Sequence, residues 1–177
     1  MSLIDSAYFT GEINIPLGTY NTVTEAISRH EADILRQLLG YDLSKLVAAY
    51  ANPRSDQRII DLVEGKEYTV SGYKVKWNGL ANSEKISLLA YYVYIQYATE
   101  KSLPWTNTGF IAPSVEGGGT VSGAFVLQGI SNKLRELAGY ACQDALAPSL
   151  YNFLINHQSD YPEWVFNEYN LLNAFDL

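Results

Sequence analysis

One cysteine, one methionine and two histidines in 177 residues leave little material for redox or metal chemistry. With Cys142 alone no internal disulfide can form, which suits a reducing interior. Cys142 stands in LAGYACQDAL with no histidine three or four positions away, so it reads as a small core residue rather than a nucleophile. His30 and His157 do not pair at helical spacing. In the string HEAD at 30–33 the position where a zinc helix would place its second histidine is Ile34. We expect no metal, no cofactor and no catalysis. The carboxylates are scattered, and Glu25 and Asp33 flank Arg29 at spacings that neutralise them. The run GGGTVSG at 117–123 lacks the Lys and hydroxyl ending of a phosphate loop. Charge is scarce at 18%, and the formal net charge of -7 argues against a grip on phosphate backbones, which needs clustered Lys and Arg. No basic stretch followed by an apolar run opens the chain. The most apolar stretch, 86–98, falls short of the ~20 residues of a membrane span, so a soluble single domain over 1–177 is expected, with no membrane partner.

What is present is apolar and aromatic: 47% hydrophobic residues and 14 tyrosines. The stretch WNGLANSEKISLLAYYVYIQYATEK, 77–101, predicts the helix around which the rest is organised, capped by Asn82 or Ser83. Turned at ~100° per residue, Ile86, Leu89, Ala90, Val93 and Tyr97 fall on one side and Leu88, Tyr91, Tyr92 and Ile95 on the other. Both faces are apolar, so the helix either lies at the centre of a core or presents one face to a second chain.

Taken in order, SAYFTGEINIP at 6–16 suits a short edge strand folded back on its domain, or an extended arm within residues 1–20. The capping box TVTE starts a helix at Thr22, with Val23, Ala26, Ile27, His30, Ile34 and Leu38 inward and Gly40 closing it. A second helix from Asp42 to Ala51 completes a helical hairpin that Asn52 and Pro53 end. Ser55 or Asp56 opens a third, ending at Val63. EYTVSGYKVKW at 67–77 predicts a β-hairpin turning at Ser71 and Gly72, packed through Tyr68, Val70, Tyr73, Val75 and Trp77 on the central helix. Residues 102–123 read as a long Gly/Pro-containing loop, and its Trp105, Phe110 and Ile111 must fold back or reach a partner.

A last long helix, starting at Ser131 or near Ser122, would pack Leu134, Leu137, Ala138, Ala141 and Ala145 on the central helix. It would kink at Pro148 and resume through Tyr151, Phe153 and Leu154. Asp160, Pro162 and Trp164 suggest a short final helix, and NAFDL could add a tail strand. The fold class expected is mainly α: a helical bundle around a central apolar helix, with one small β-hairpin and room for short terminal strands. Ile27, Ile34, Leu38, Leu89, Val93, Leu137 and Ala141 should form its core.

The order of LLGYDLSKLV, DLVEGKEY, a hairpin ending in WNGL, AYYVYIQYA, a TNTG turn and a long final helix resembles head-tail connector, or head completion, proteins of tailed bacteriophages, of the type found in phages of gut bacteria. The resemblance implies a non-enzymatic virion protein made in the host cytoplasm. It would form a homo-oligomeric ring of about a dozen copies at the neck, joining portal to tail proteins with DNA only as passing cargo. The long loop has no counterpart in that pattern. In that setting the surplus apolar residues Tyr8, Phe9, Ile13, Ile15, Tyr91, Ile95, Trp105 and Phe110 are the candidate partner interface. Two other readings stay open: another tail or neck protein, such as a tail terminator, and a small-ligand or carbohydrate-binding module using Tyr and Trp.

Overall fold

A computed structural model describes residues 2–15, 20–50, 56–102, 105–106, 109–110, 123–139 and 144–165. Its helices are α1 (Tyr20–Ala48), α2 (Gln57–Glu64), α3 (Leu88–Ser102), α4 (Gly123–Ala138) and α5 (Leu150–Asn156), and β1 (Lys66–Val70) pairs antiparallel with β2 (Tyr73–Trp77). Two-residue strands β3 (Trp105–Thr106) and β4 (Gly109–Phe110) form a second, minimal pair. The chain is mainly helical with one small hairpin, as expected.

The central helix is α3, and its first half, 88–95, is enclosed while 96–99 are half-buried and Glu100 is exposed. Leu88, Leu89, Ala90, Tyr91, Tyr92, Val93 and Ile95 are buried, so the first of the two alternatives holds. α1 packs along one flank and α4 along another. Ile27, Ile34, Leu38, Leu89 and Val93 belong to the core, Leu137 is half-buried, and Ala141 lies outside the described residues.

Several boundaries differ from the sequence reading. The helix start predicted at Ser83 lies at Leu88, because Ser87 caps it: its hydroxyl accepts from the Leu89 amide at 3.2 Å. Asn82 instead closes its own turn, exchanging side-chain hydrogen bonds with the main chain of Ile86, which leaves Ile86 out in solvent. α1 begins at Tyr20, so Thr22 sits within the first turn and Glu25 is too far along to complete a capping box. Gly40, at φ 77° and ψ 173°, breaks α1 where closure was expected. The following helical segment ends at Ala48, and Asn52 and Pro53 lie outside the described residues. α2 opens as predicted at Asp56, whose carboxylate accepts from the Arg58 amide at 3.0 Å.

The last helix departs most. α4 starts at Gly123, the earlier of the two expected positions, and stops at Gly139 (φ 96°), where the turn that leads into α5 crosses its end. A Cβ on Gly139 would lie 2.6 Å from Ser149 Oγ and 2.8 Å from Tyr151 Cβ. Ala145 is therefore exposed in a turn instead of lining a helix, and α5 starts afresh under a Ser149 cap. The continuation of the expected final helix and the NAFDL tail lie outside the described residues, and the 160–165 segment that precedes them is a turn. It is held by Trp164, whose indole N–H donates to Leu38 O at 3.1 Å, and by Tyr161, whose hydroxyl donates to Arg58 O at 2.7 Å.

Candidate interaction surface

The residues predicted to meet a partner mostly meet their own chain. Tyr8, Phe9, Ile13 and Ile15 are buried, folded back on the domain in two 3-10 turns, Ser6–Tyr8 and Gly11–Ile13, instead of a strand or a free arm. Glu31, buried on α1, fastens the segment by accepting from the Ser2 hydroxyl, the Leu3 amide at 2.9 Å and the Ile4 amide at 3.3 Å. The Tyr8 hydroxyl donates to Asn82 O at 3.1 Å, and Lys85 Nζ lies 4.4 Å from the ring centroid.

Tyr91 and Ile95 are 8% and 3% exposed. The Tyr91 hydroxyl donates to the Glu12 carboxylate. Burial, then that hydrogen bond and the nearby negative charge, push its pKa well above the usual phenol value. These six residues therefore supply no surplus apolar surface: residues 2–15 are tied to α1 through Glu31 and to α3 through the Glu12–Tyr91 hydrogen bond. Trp105 and Phe110 are paired across β3 and β4, while their side chains, Ile111 and most of the 102–123 loop lie outside the described residues.

Among the described residues, main chain on the hairpin is left facing outward. Ser71 (φ 51°) and Gly72 (φ 86°) make a two-residue turn with both central φ values positive, so Val70 and Tyr73 form the hydrogen-bonded pair that closes it. Pairs alternate from there: Tyr68↔Val75 and Lys66↔Trp77 are bonded, whereas Thr69↔Lys74 and Glu67↔Lys76 direct their N–H and C=O groups outward. The sheet has only two strands, so both edges are open among the described residues. Glu67, Thr69, Lys74 and Lys76 are all exposed. One edge thus carries Glu67 and Thr69, the other Lys74 and Lys76.

The hairpin is supported by α5, not by α3 as predicted. Tyr68 meets Phe153 edge-on at 5.7 Å and His157 at 5.0 Å between centroids, and Trp77 stacks on Phe153 at 5.8 Å. Val75 is buried with them, whereas Tyr73, expected to pack, is 64% exposed because the tip extends past its support. At its base the ribbon is clasped to α2. The Trp77 indole N–H donates to Leu62 O at 2.9 Å, and the Ala81 amide donates to Val63 O at 2.8 Å. Gly65 and Gly79 allow this crossing: a Cβ on Gly65 would lie 2.5 Å from Trp77 O, and one on Gly79 2.6 Å from Glu64 C.

Several charged groups elsewhere are absorbed by structure. Arg58 reaches Asp56 at 2.8 Å and Glu163 at 3.3 Å, tying 160–165 to the start of α2, and its hydrogen bonds hold the Asp56 carboxyl below its usual range. Arg29 reaches across to Glu100 of α3 at 3.4 Å instead of to the flanking Glu25 and Asp33, and His30 Nε2 lies 3.0 Å from the same carboxylate. Among the described residues no group of three or more His, Cys, Asp or Glu could hold a metal ion, and no helix is long and apolar enough to cross a membrane. A cleft of about 430 Å³ is lined by Ser2, Leu3, Tyr50, Glu64 and Asn82 among others, with Tyr50 its aromatic member.

The class this defines is a small helical domain with a two-edged hairpin on its surface and an aromatic interior. Compared with family models, curated proteins and solved structures, the chain finds no match. In the sequence Glu67, Thr69, Lys74 and Lys76 are the polar half of an alternating pattern. That alternation was the available signal. Glu31 had none, since an acid in HEAD looks like any exposed helical residue.

Proposed function

We propose that this chain is a structural subunit of a tailed-phage particle, a connector that forms a ring between portal and tail and performs no catalysis. The observation that carries the reading is that the strings behind the resemblance coincide with the contacts that hold this fold. LLGY contains the α1 break at Gly40, and AYYVYIQYA holds the buried residues 90–93 and 95 of α3. DLVEG and WNGL supply the two sides of the Gly65–Gly79 clasp. A net charge of -7 agrees with a channel along which DNA slides without being gripped.

The carbohydrate-module alternative draws less support, since Tyr50 is the one aromatic among the described residues that line the 430 Å³ cleft, and its hydroxyl is hydrogen-bonded to Glu64. The test is to image phage particles carrying a tagged copy of this chain. A ring of tag density at the head-tail junction is expected. Absence of the chain from purified particles overturns the proposal, and tag density only at the distal tail favours another tail protein.

A further inference from the structure

The open hairpin edges differ in charge, and that difference selects how two copies could pair. We infer that successive subunits join through their hairpins, the β1 edge of one copy pairing antiparallel with the β2 edge of the next. The inference rests on the ring reading above and names its contact.

Three features carry it. First, the outward N–H and C=O groups of Glu67 and Thr69 on β1, and of Lys74 and Lys76 on β2, have the same two-residue spacing, so the edges match in length. Set Glu67 opposite Lys76 and Thr69 opposite Lys74 of the neighbour, and each junction gains about four main-chain hydrogen bonds. Second, charge favours unlike edges. β2 against β2 would bring Lys74 and Lys76 of two copies together, and β1 against β1 would offer Glu67 no cation on its own face, since Lys66 lies on the other face and pairs with Asp61 at 2.6 Å. β1 against β2 places each Glu67 between its own Lys76 and the neighbour's, the Lys76 ammonium also reaching Glu84 at 3.2 Å within its own chain.

Third, direction agrees with closure. β2 runs antiparallel to β1 within one hairpin, so a neighbouring β2 antiparallel to that β1 lies parallel to the first β2, and every hairpin points the same way. A contact between different edges that preserves direction is heterologous and can repeat around a circle, whereas like-edge pairing stops at a two-fold dimer. Edge lysines commonly discourage stray pairing. Here they admit an acidic edge and repel another basic one.

The test mixes two full-length variants, Glu67→Cys and Lys76→Cys, each in a Cys142→Ser background, and oxidises them with the portal ring of the same phage present. A cross-link that forms only in the mixture is expected, since directly opposed residues of a bonded pair lie within disulfide reach. Cross-linking within either variant alone means like edges meet and overturns the inference. Thr69→Pro and Lys74→Pro remove one outward N–H each without touching a bond inside the hairpin. Each should lower ring assembly at least tenfold while the monomer melts like the parent.

If a proline variant does not fold, Glu67→Lys should weaken assembly by a similar factor and the added Lys76→Glu should restore it. Rings that form normally with the variants overturn the edge contact but leave the connector reading standing, and parent chain that joins no ring overturns both. Loss of portal binding by Thr69→Pro without any 67–76 cross-link assigns the edge to another protein's strand and overturns self-pairing.

Discussion

The N-terminal segment 2–15 and the hairpin 66–77 are both short, aromatic and outside the α-helices, yet they end in opposite conditions. In the first, every large apolar side chain from Ile4 to Ile15 is buried and the start of the segment is tied to Glu31. In the second, Tyr68, Val75 and Trp77 are buried against α5 while the main chain at four positions faces outward. Apolar side chains looked like the currency of association in the sequence, and the fold absorbed them. Backbone groups need their own count, because a strand can satisfy its side chains and still present an unpaired edge.

Changes at the two supports should separate the segments. Phe153→Ala should cost about 3–5 kcal/mol, since the ring is fully buried and touches Tyr68, Trp77, Tyr161 and His157. Denaturant unfolding measures it, and a loss below about 1 kcal/mol would mean the hairpin does not depend on α5. Glu31→Ala should cost about 1.5–3 kcal/mol because one hydroxyl and two amides lose their acceptor. Hydrogen exchange should then quicken in residues 2–15 and stay unchanged in 66–77. Equal quickening of both would erase the contrast.

The alkaline limb tests the same burial through ionisation. Tyr91 and Tyr161 have phenol pKa values raised chiefly by desolvation. A raised folded pKa means the unfolded chain loses its protons first, so the stability is complete below pH of about 10. It is lost as the pH climbs from there toward the folded values. Unfolding free energy should fall above that pH, and Tyr161→Phe should flatten the fall. An unchanged slope would mean that Tyr161 ionises as freely in the folded protein as in the unfolded one. The smallest effect belongs to the hairpin tip: Tyr73→Ser should change monomer stability by less than about 0.5 kcal/mol, as expected for a ring that is mostly in solvent. A larger loss would place the tip in the core.

Local chemistry made some of this legible. Asp56 fixes the start of α2, and the Ser71–Gly72 turn sets the hairpin register, because each acts over three or four residues. Most of the inward positions of α1 and α3 followed from helical spacing. Long-range choices did not. Ser87 outcompeted Asn82 and Ser83 as cap since Asn82 was engaged in its own turn and in accepting from Tyr8, 74 positions away. The end of α4 at Gly139 depends on Ser149 and Tyr151 crossing it, which no helical pattern within 123–145 reveals.

By itself, then, the sequence determined the mainly helical class, the hairpin with its alternating faces, most of the core, and the scarcity of metal and thiol ligands, all matters of residue type and near-neighbour spacing. Only the tertiary structure decided that residues 2–15 fold back on their own domain, that α5 carries the hairpin, and that among the described residues the ribbon keeps two open edges, Glu67 and Thr69 on one and Lys74 and Lys76 on the other. Those outcomes depend on which distant surfaces meet, and apolar burial, having no direction of its own, does not say in advance which partner will supply it.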